Sequence, residues 1–83
     1  MLNNVNIITW NARGIKQKSI ELFSFLINKN INICLVTETW LKTNISLSHN
    51  SFKIYRNDRE NRNGGGVAII VNINISHILL PIV

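Results

Sequence analysis

The segment Ile31-Asn32-Ile33-Cys34-Leu35-Val36-Thr37-Glu38-Thr39-Trp40-Leu41 decides how this chain folds. It is an apolar run rich in β-branched residues, and it stops at one acid followed by an aromatic. Its length and composition suit a buried strand better than a helix. A carboxylate at the end of such a strand costs solvation free energy unless water, a cation or a hydrogen-bond donor meets it. Glu38 is therefore the residue that needs a reason.

Upstream, Val5 to Trp10 is apolar and β-branched apart from Asn6, and reads as a first strand that stops at Asn11-Ala12-Arg13-Gly14. From about Ile15 to Asn28 the period changes. Ile20, Phe23, Leu26 and Ile27 recur at helical spacing, Leu22 and Phe25 widen the stripe, and Lys16, Lys18, Glu21 and Ser24 are polar. Asn28-Lys29-Asn30 is the stop, with Asn30 suited to a left-handed conformation. Strand, helix and strand with tight connections predict a βαβ unit whose strands are parallel and joined by a right-handed crossover. Parallel strands end on one edge, so Asn11 and Glu38 are expected side by side, where open α/β sheets bind ligands.

Downstream, Lys42 to Asn50 is polar and turn-prone, and Phe52 to Arg56 alternates as a strand does. Asn57 to Asn63 is charged, and Gly64-Gly65-Gly66 leads into the clear strand Val67 to Val71. The two strands predict an antiparallel hairpin. Ile75 to Val83, with Pro81, reads as part of a further strand at an edge or exit. The fold class is α/β: a βαβ unit followed by a β-hairpin and one more strand.

With 83 residues the chain holds one small domain. Its single cysteine excludes an internal disulfide, no Cys/His grouping has zinc spacing, and Cys34 within the apolar run reads as a small buried hydrophobe. The formal charge of +5 favours polyanionic partners. The N-terminus has neither the basic nor the apolar region of a signal peptide, and no apolar run approaches the roughly 20 residues of a membrane span. The expectation is a chain that is intracellular, not secreted, and without a membrane or a stable protein partner.

Candidate chemistry comes down to few residues. Glu38 would bind a hard divalent cation such as Mg²⁺, which takes oxygen ligands; otherwise it is a solvated strand-end acid or a partner for Arg13. Asn11 would donate to a phosphate oxygen or orient a metal-bound water; otherwise it is a turn residue with an unusual backbone angle. Arg56, Arg59 and Arg62 would contact a nucleic-acid backbone, or form a solvated hairpin tip diluted by Asp58 and Glu60. The triple glycine is no phosphate loop, because a strand and not a helix follows it; it supplies backbone angles. Trp10 and Trp40 adjoin the candidate site and are expected in the core. His49 and His77 have no Ser or Cys motif around them and are assigned no role.

Together these residues resemble a known family. Ile7-Ile8-Thr9-Trp10-Asn11-Ala12-Arg13-Gly14, Leu35-Val36-Thr37-Glu38-Thr39-Trp40-Leu41, and Tyr55-Arg56-Asn57-Asp58-Arg59 running into Gly64-Gly65-Gly66-Val67-Ala68-Ile69 are similar to the start of an endonuclease/exonuclease/phosphatase domain. The match is to the apurinic-type endonuclease of non-LTR, jockey-type retrotransposons, and it covers essentially the whole chain. The resemblance implies the N-terminal part of a four-layer α/β sandwich, with residues 1–83 a partial domain truncated at its C-terminus. It implies a Mg²⁺-dependent DNA endonuclease that nicks target DNA to prime reverse transcription, with nuclear access for the intact protein.

Under the resemblance Asn11 takes the place of the active-site asparagine and Glu38 that of the metal-binding glutamate. Arg13 stands where many relatives have asparagine and, with Arg56, Arg59 and Arg62, is assigned to nucleic-acid binding. The family's tyrosine, Asp-x-Asn pair and aspartate–histidine pair have no counterpart here, since no Asp, Glu or Tyr follows Val71. One carboxylate and one amide do not make a hydrolytic constellation. The chain alone is therefore expected to be inactive, and to fold poorly with apolar faces uncovered. The alternatives are a small non-enzymatic nucleic-acid-binding module and an inert gene remnant.

Overall fold

The structure is a computed structural model and describes residues 5–59 and 64–75. Its elements are β1 (Ile7–Asn11), α1 (Ser19–Asn28), β2 (Ile33–Thr37), β3 (Phe52–Asn57) and β4 (Val67–Asn72), with a 3₁₀ turn at Lys16–Lys18 ahead of the helix. The four strands form one mixed sheet in the order β1-β2-β4-β3. β1 and β2 are parallel from Ile7↔Ile33 to Asn11↔Thr37, as a βαβ unit requires. β4 runs antiparallel to both β2 and β3, which makes the expected hairpin. Among the described residues no helix is long and apolar enough to cross a membrane.

The period-2 alternation of the strands sorts their side chains into two faces. On the inner face one cross-sheet row is Ile8, Cys34, Ile70 and Ile54, and the next is Trp10, Val36, Ala68 and Arg56. Cys34, Val36, Ala68 and Ile70 are buried there with Leu22, Phe23 and Leu26 of the helix, and with Ile15 and Ile31 from its flanks. The outer face carries Ile7, Leu35, Val67 and Ile69, all exposed.

The helix is shorter than its apolar pattern predicts and is turned differently. It begins at Ser19, after the 3₁₀ turn, with no side-chain cap. Ile15 is drawn into the core before the helix starts, so the chain cannot also be helical there. The buried stripe is Leu22, Phe23 and Leu26, while Ile20 is 82% exposed and Phe25 and Ile27 are about half exposed. The C-terminus is a Schellman motif: Asn30 has φ 54, its N–H donates to Ile27 O, and the N–H of Ile31 donates to Leu26 O. Leu26 and Ile31 are both buried, which supplies the apolar contact that goes with this cap.

Two strand boundaries also move. β1 includes Asn11, and β2 stops at Thr37, because Glu38 has φ 52 and breaks the extended backbone. The strand expected over Ile75 to Val83 lies, after Ile75, outside the described residues.

Candidate metal and phosphate site

Three segments meet at the carboxyl edge of β1 and β2: the turn after β1, the turn after β2, and the glycines that lead into β4. Backbone hydrogen bonds lace them together. The N–H groups of Ala12, Gly14 and Ile15 donate to Thr37 O, Glu38 O and Thr39 O at 2.9, 2.9 and 3.0 Å. On the other side Thr39 and Trp40 donate to Gly66 O and Gly65 O at 3.3 and 2.9 Å. The parallel register thus continues one step past the strands and brings Asn11 and Glu38 to one edge, as the sequence predicts.

The backbone at this edge is held in sparsely populated conformations. Arg13, Glu38 and Trp40 have φ of 49, 52 and 56, and these are three of the four left-handed non-glycine residues among those described. The fourth, Asn30, is the helix cap, where this geometry is routine. A left-handed non-glycine residue costs on the order of 1–3 kcal/mol, and clusters of them mark sites whose geometry the surrounding fold over-determines. The strained residue of the first turn is Arg13 followed by Gly14 at φ 95, not Asn11. Gly64, Gly65 and Gly66 all have positive φ, as expected of residues that supply backbone angles.

Glu38 is half-buried and Asn11 exposed, and no ion pair joins Glu38 to Arg13 among the described residues. Both side chains offer oxygen donors, the kind Mg²⁺ selects. That ion takes one or two carboxylates and keeps several waters, so the donor set fits it. No group of three or more His, Cys, Asp or Glu side chains gathers among the described residues, so these residues alone would give such an ion only part of its ligands.

The arginines separate. Arg59 lies at the same edge, its guanidinium packed against Gly65 so closely that a Cβ there would fall 2.5 Å from Cζ. Arg13 is exposed, also at this edge. Arg56 is turned inward. Its Nη2 bonds Asp58 Oδ2 at 2.7 Å and Lys42 O at 2.9 Å, and its Nη1 bonds Ile45 O at 2.6 Å, so it clamps the 42–45 segment. Arg62 lies outside the described residues.

Two features at this edge escape a reading of the sequence. Trp40 is 50% exposed and not in the core, because its left-handed backbone swings the indole out over Gly14 and Gly64. The paired glycines were the only signal of that seat. Thr39 is fully buried, and its hydroxyl has no partner among the described residues; it occupies the space a Cβ at Gly66 would need. His49 is accounted for structurally: its ring lies tilted against Phe23 and edge-on to Phe52, and its Nδ1 accepts from the Ser51 N–H.

No family model matches the chain. It is 34% identical over 79 residues to a probable RNA-directed DNA polymerase from transposon BS of Drosophila melanogaster, a match that takes in 92% of this chain and 9% of that protein. Its structure superposes on an AP endonuclease from Archaeoglobus fulgidus with a TM-score of 0.66 and 16% identity, over 82% of this chain and 27% of that one. The chain thus spans a small share of either protein. What it has, across its described residues, is the α/β fold of part of an AP endonuclease, with a sequence similar to a stretch of a transposon-encoded polymerase.

Proposed function

We propose that the chain supplies the metal- and phosphate-binding part of a Mg²⁺-dependent DNA endonuclease domain of a non-LTR retrotransposon protein, in the endonuclease/exonuclease/phosphatase family. The observation that carries this is the strained edge that Asn11 and Glu38 share: Asn11 pairs with Thr37 at the end of the parallel ladder, and one step beyond it the Gly14 N–H donates to Glu38 O. The similarity to a transposon polymerase and the AP endonuclease fold support it. Glu38 is a ligand for the ion, and Asn11 donates its amide to a phosphate oxygen or orients a metal-bound water. The ion, when bound, supplies Lewis acidity toward the phosphodiester. Arg13 and Arg59 face the DNA backbone, whereas Arg56 holds the loops that present them. Asn11 and Glu38 make up only part of a hydrolytic constellation, and the chain by itself is expected not to cleave DNA.

The test is Mn²⁺ as a paramagnetic probe in NMR of the 83-residue chain. Broadening should centre on the amides of Asn11 and Thr37 to Thr39 and vanish in Glu38→Gln. Broadening centred elsewhere, or unchanged by the substitution, removes the site. Supercoiled plasmid should stay intact with Mg²⁺; nicking that is lost in Glu38→Ala would show a complete active centre instead. DNA binding that is steeply salt-dependent and indifferent to both metal and Glu38 would favour a non-enzymatic binding module.

A further inference from the structure

We propose that Trp40 is a stacking platform for an unpaired nucleobase, with Arg13 and Lys16 holding the adjacent phosphate. This rests on the nuclease-derived reading of the same edge and adds to it a contact for the nucleic acid itself.

The indole is exposed and at the same time fixed. Half of its surface faces solvent, whereas Trp10 packs against the core. An aromatic face left in water keeps its burial free energy available to whatever stacks on it. The benzene half of the ring lies on Gly14, where a Cβ would come within 2.9 Å of Cε3, and the pyrrole half lies beside Gly64. The backbone N–H of Trp40 donates to Gly65 O at 2.9 Å. Two glycines and the backbone bond of its own residue help seat this ring, so little entropy is lost when something stacks on it.

The surroundings select the occupant. Trp40 borders a groove of about 320 Å³ that is also lined by Arg13, Lys16, Gln17 and Lys18, with no acid among the described residues that line it. Lys18 is committed, since its Nζ donates to Ala12 O at 2.8 Å and sits 5.9 Å from the Trp10 ring centroid. The side chains of Arg13 and Lys16 are exposed and make no hydrogen bond or ion pair among the described residues. An acidic peptide would use these cations but leave the ring idle. A nucleotide uses both, because every base has a π-face and carries a phosphate beside it. Bases inside a duplex are covered on both faces, so the occupant is a single strand or a locally opened one.

The experiment uses the full chain with a fluorescein-labelled oligothymidylate and a duplex of equal length, read by anisotropy and by tryptophan emission. The single strand should bind more tightly than the duplex and quench the indole. Trp40→Ala should weaken single-strand binding about ten-fold and leave duplex binding unchanged. Trp40→Phe should keep most of the affinity but lose the quench, since Trp10 remains. Arg13→Gln and Lys16→Gln should each reduce the slope of log Kd against log salt by about 0.7. Unchanged single-strand affinity in a folded Trp40→Ala chain overturns the platform, as does a quench that persists in Trp40→Phe; the latter decides the matter if Trp40→Ala does not fold. An intact Mn²⁺ site in a chain that binds neither DNA overturns the platform alone, whereas loss of the Glu38-dependent broadening overturns the reading on which it rests.

Discussion

The N–H of Gly14 donates to the carbonyl of Glu38 at 2.9 Å, so the turn after β1 and the turn after β2 are joined through the backbone of the candidate metal ligand itself. Side-chain substitutions at Glu38 leave this bond in place, which makes them clean probes of chemistry. Substitutions at Gly14 are the opposite case.

Gly14 has φ 95, and an added Cβ would meet Trp40 Cε3 at 2.9 Å. Gly14→Ala should therefore destabilise the chain by about 1–3 kcal/mol, from backbone strain and contact together. Urea unfolding measures the loss. Placing it in a Trp40→Ala background should recover the contact part and leave the strain; simple additivity of the two substitutions would show that the ring does not rest on Gly14.

Arg56 and Asp58 form a 2.7 Å ion pair whose side chains are only 20% and 5% exposed. Arg56→Ala leaves the Asp58 carboxylate buried without its partner and releases the carbonyls of Lys42 and Ile45, at a cost of about 3 kcal/mol. Arg56→Lys should recover little, because one ammonium cannot reach three acceptors in the geometry of a planar fork. Denaturation midpoints for both variants check this, and a surface-like loss under about 1 kcal/mol would contradict the clamp.

The buried hydroxyl of Thr39, which has no partner among the described residues, yields a prediction of the opposite sign. Thr39→Val keeps the shape and removes a desolvated polar group, so stability should stay level or rise by about 1 kcal/mol. Gly66→Ala should be costly, because its Cβ would fall 2.5 Å from that hydroxyl and Gly66 has φ 85. Thermal melts of the two variants should move apart.

Burial raises the Cys34 thiol to about 11 from 9.0. The folded state therefore holds its proton where the unfolded chain has lost it. Stability from this group is complete below pH 9 and is lost as pH rises toward 11. Denaturation midpoints should fall over that window in the native chain and fall less in Cys34→Ala. Alkylation of the native thiol at pH 8 should be slow and accelerate in denaturant.

The parts of this fold that the sequence discloses are those set by period. Alternation in Phe52 to Arg56 and the β-branched run ending at Glu38 specify strands, and two parallel strands force Asn11 and Glu38 onto one edge. Ile20 shows where period fails: its spacing matches the apolar stripe, yet Ile15 enters the core first and fixes the helix rotation that leaves Ile20 in solvent. Trp40 fails for another reason. Hydrophobicity predicts burial, but a left-handed φ of 56 reverses the direction of the side chain, and no propensity scale encodes that. The inward turn of Arg56 is likewise invisible, since two of its acceptors, beside Asp58, are backbone carbonyls more than ten residues away in sequence.

The left-handed φ values of Arg13, Glu38 and Trp40 put this edge at odds with the rest of the domain. Glycine or asparagine would sit more comfortably at each position. A laboratory screen for heat resistance alone would therefore discard these three residues among the first. Under the proposed function, the same screen would strip the edge of its metal ligand, its phosphate contact and its stacking face.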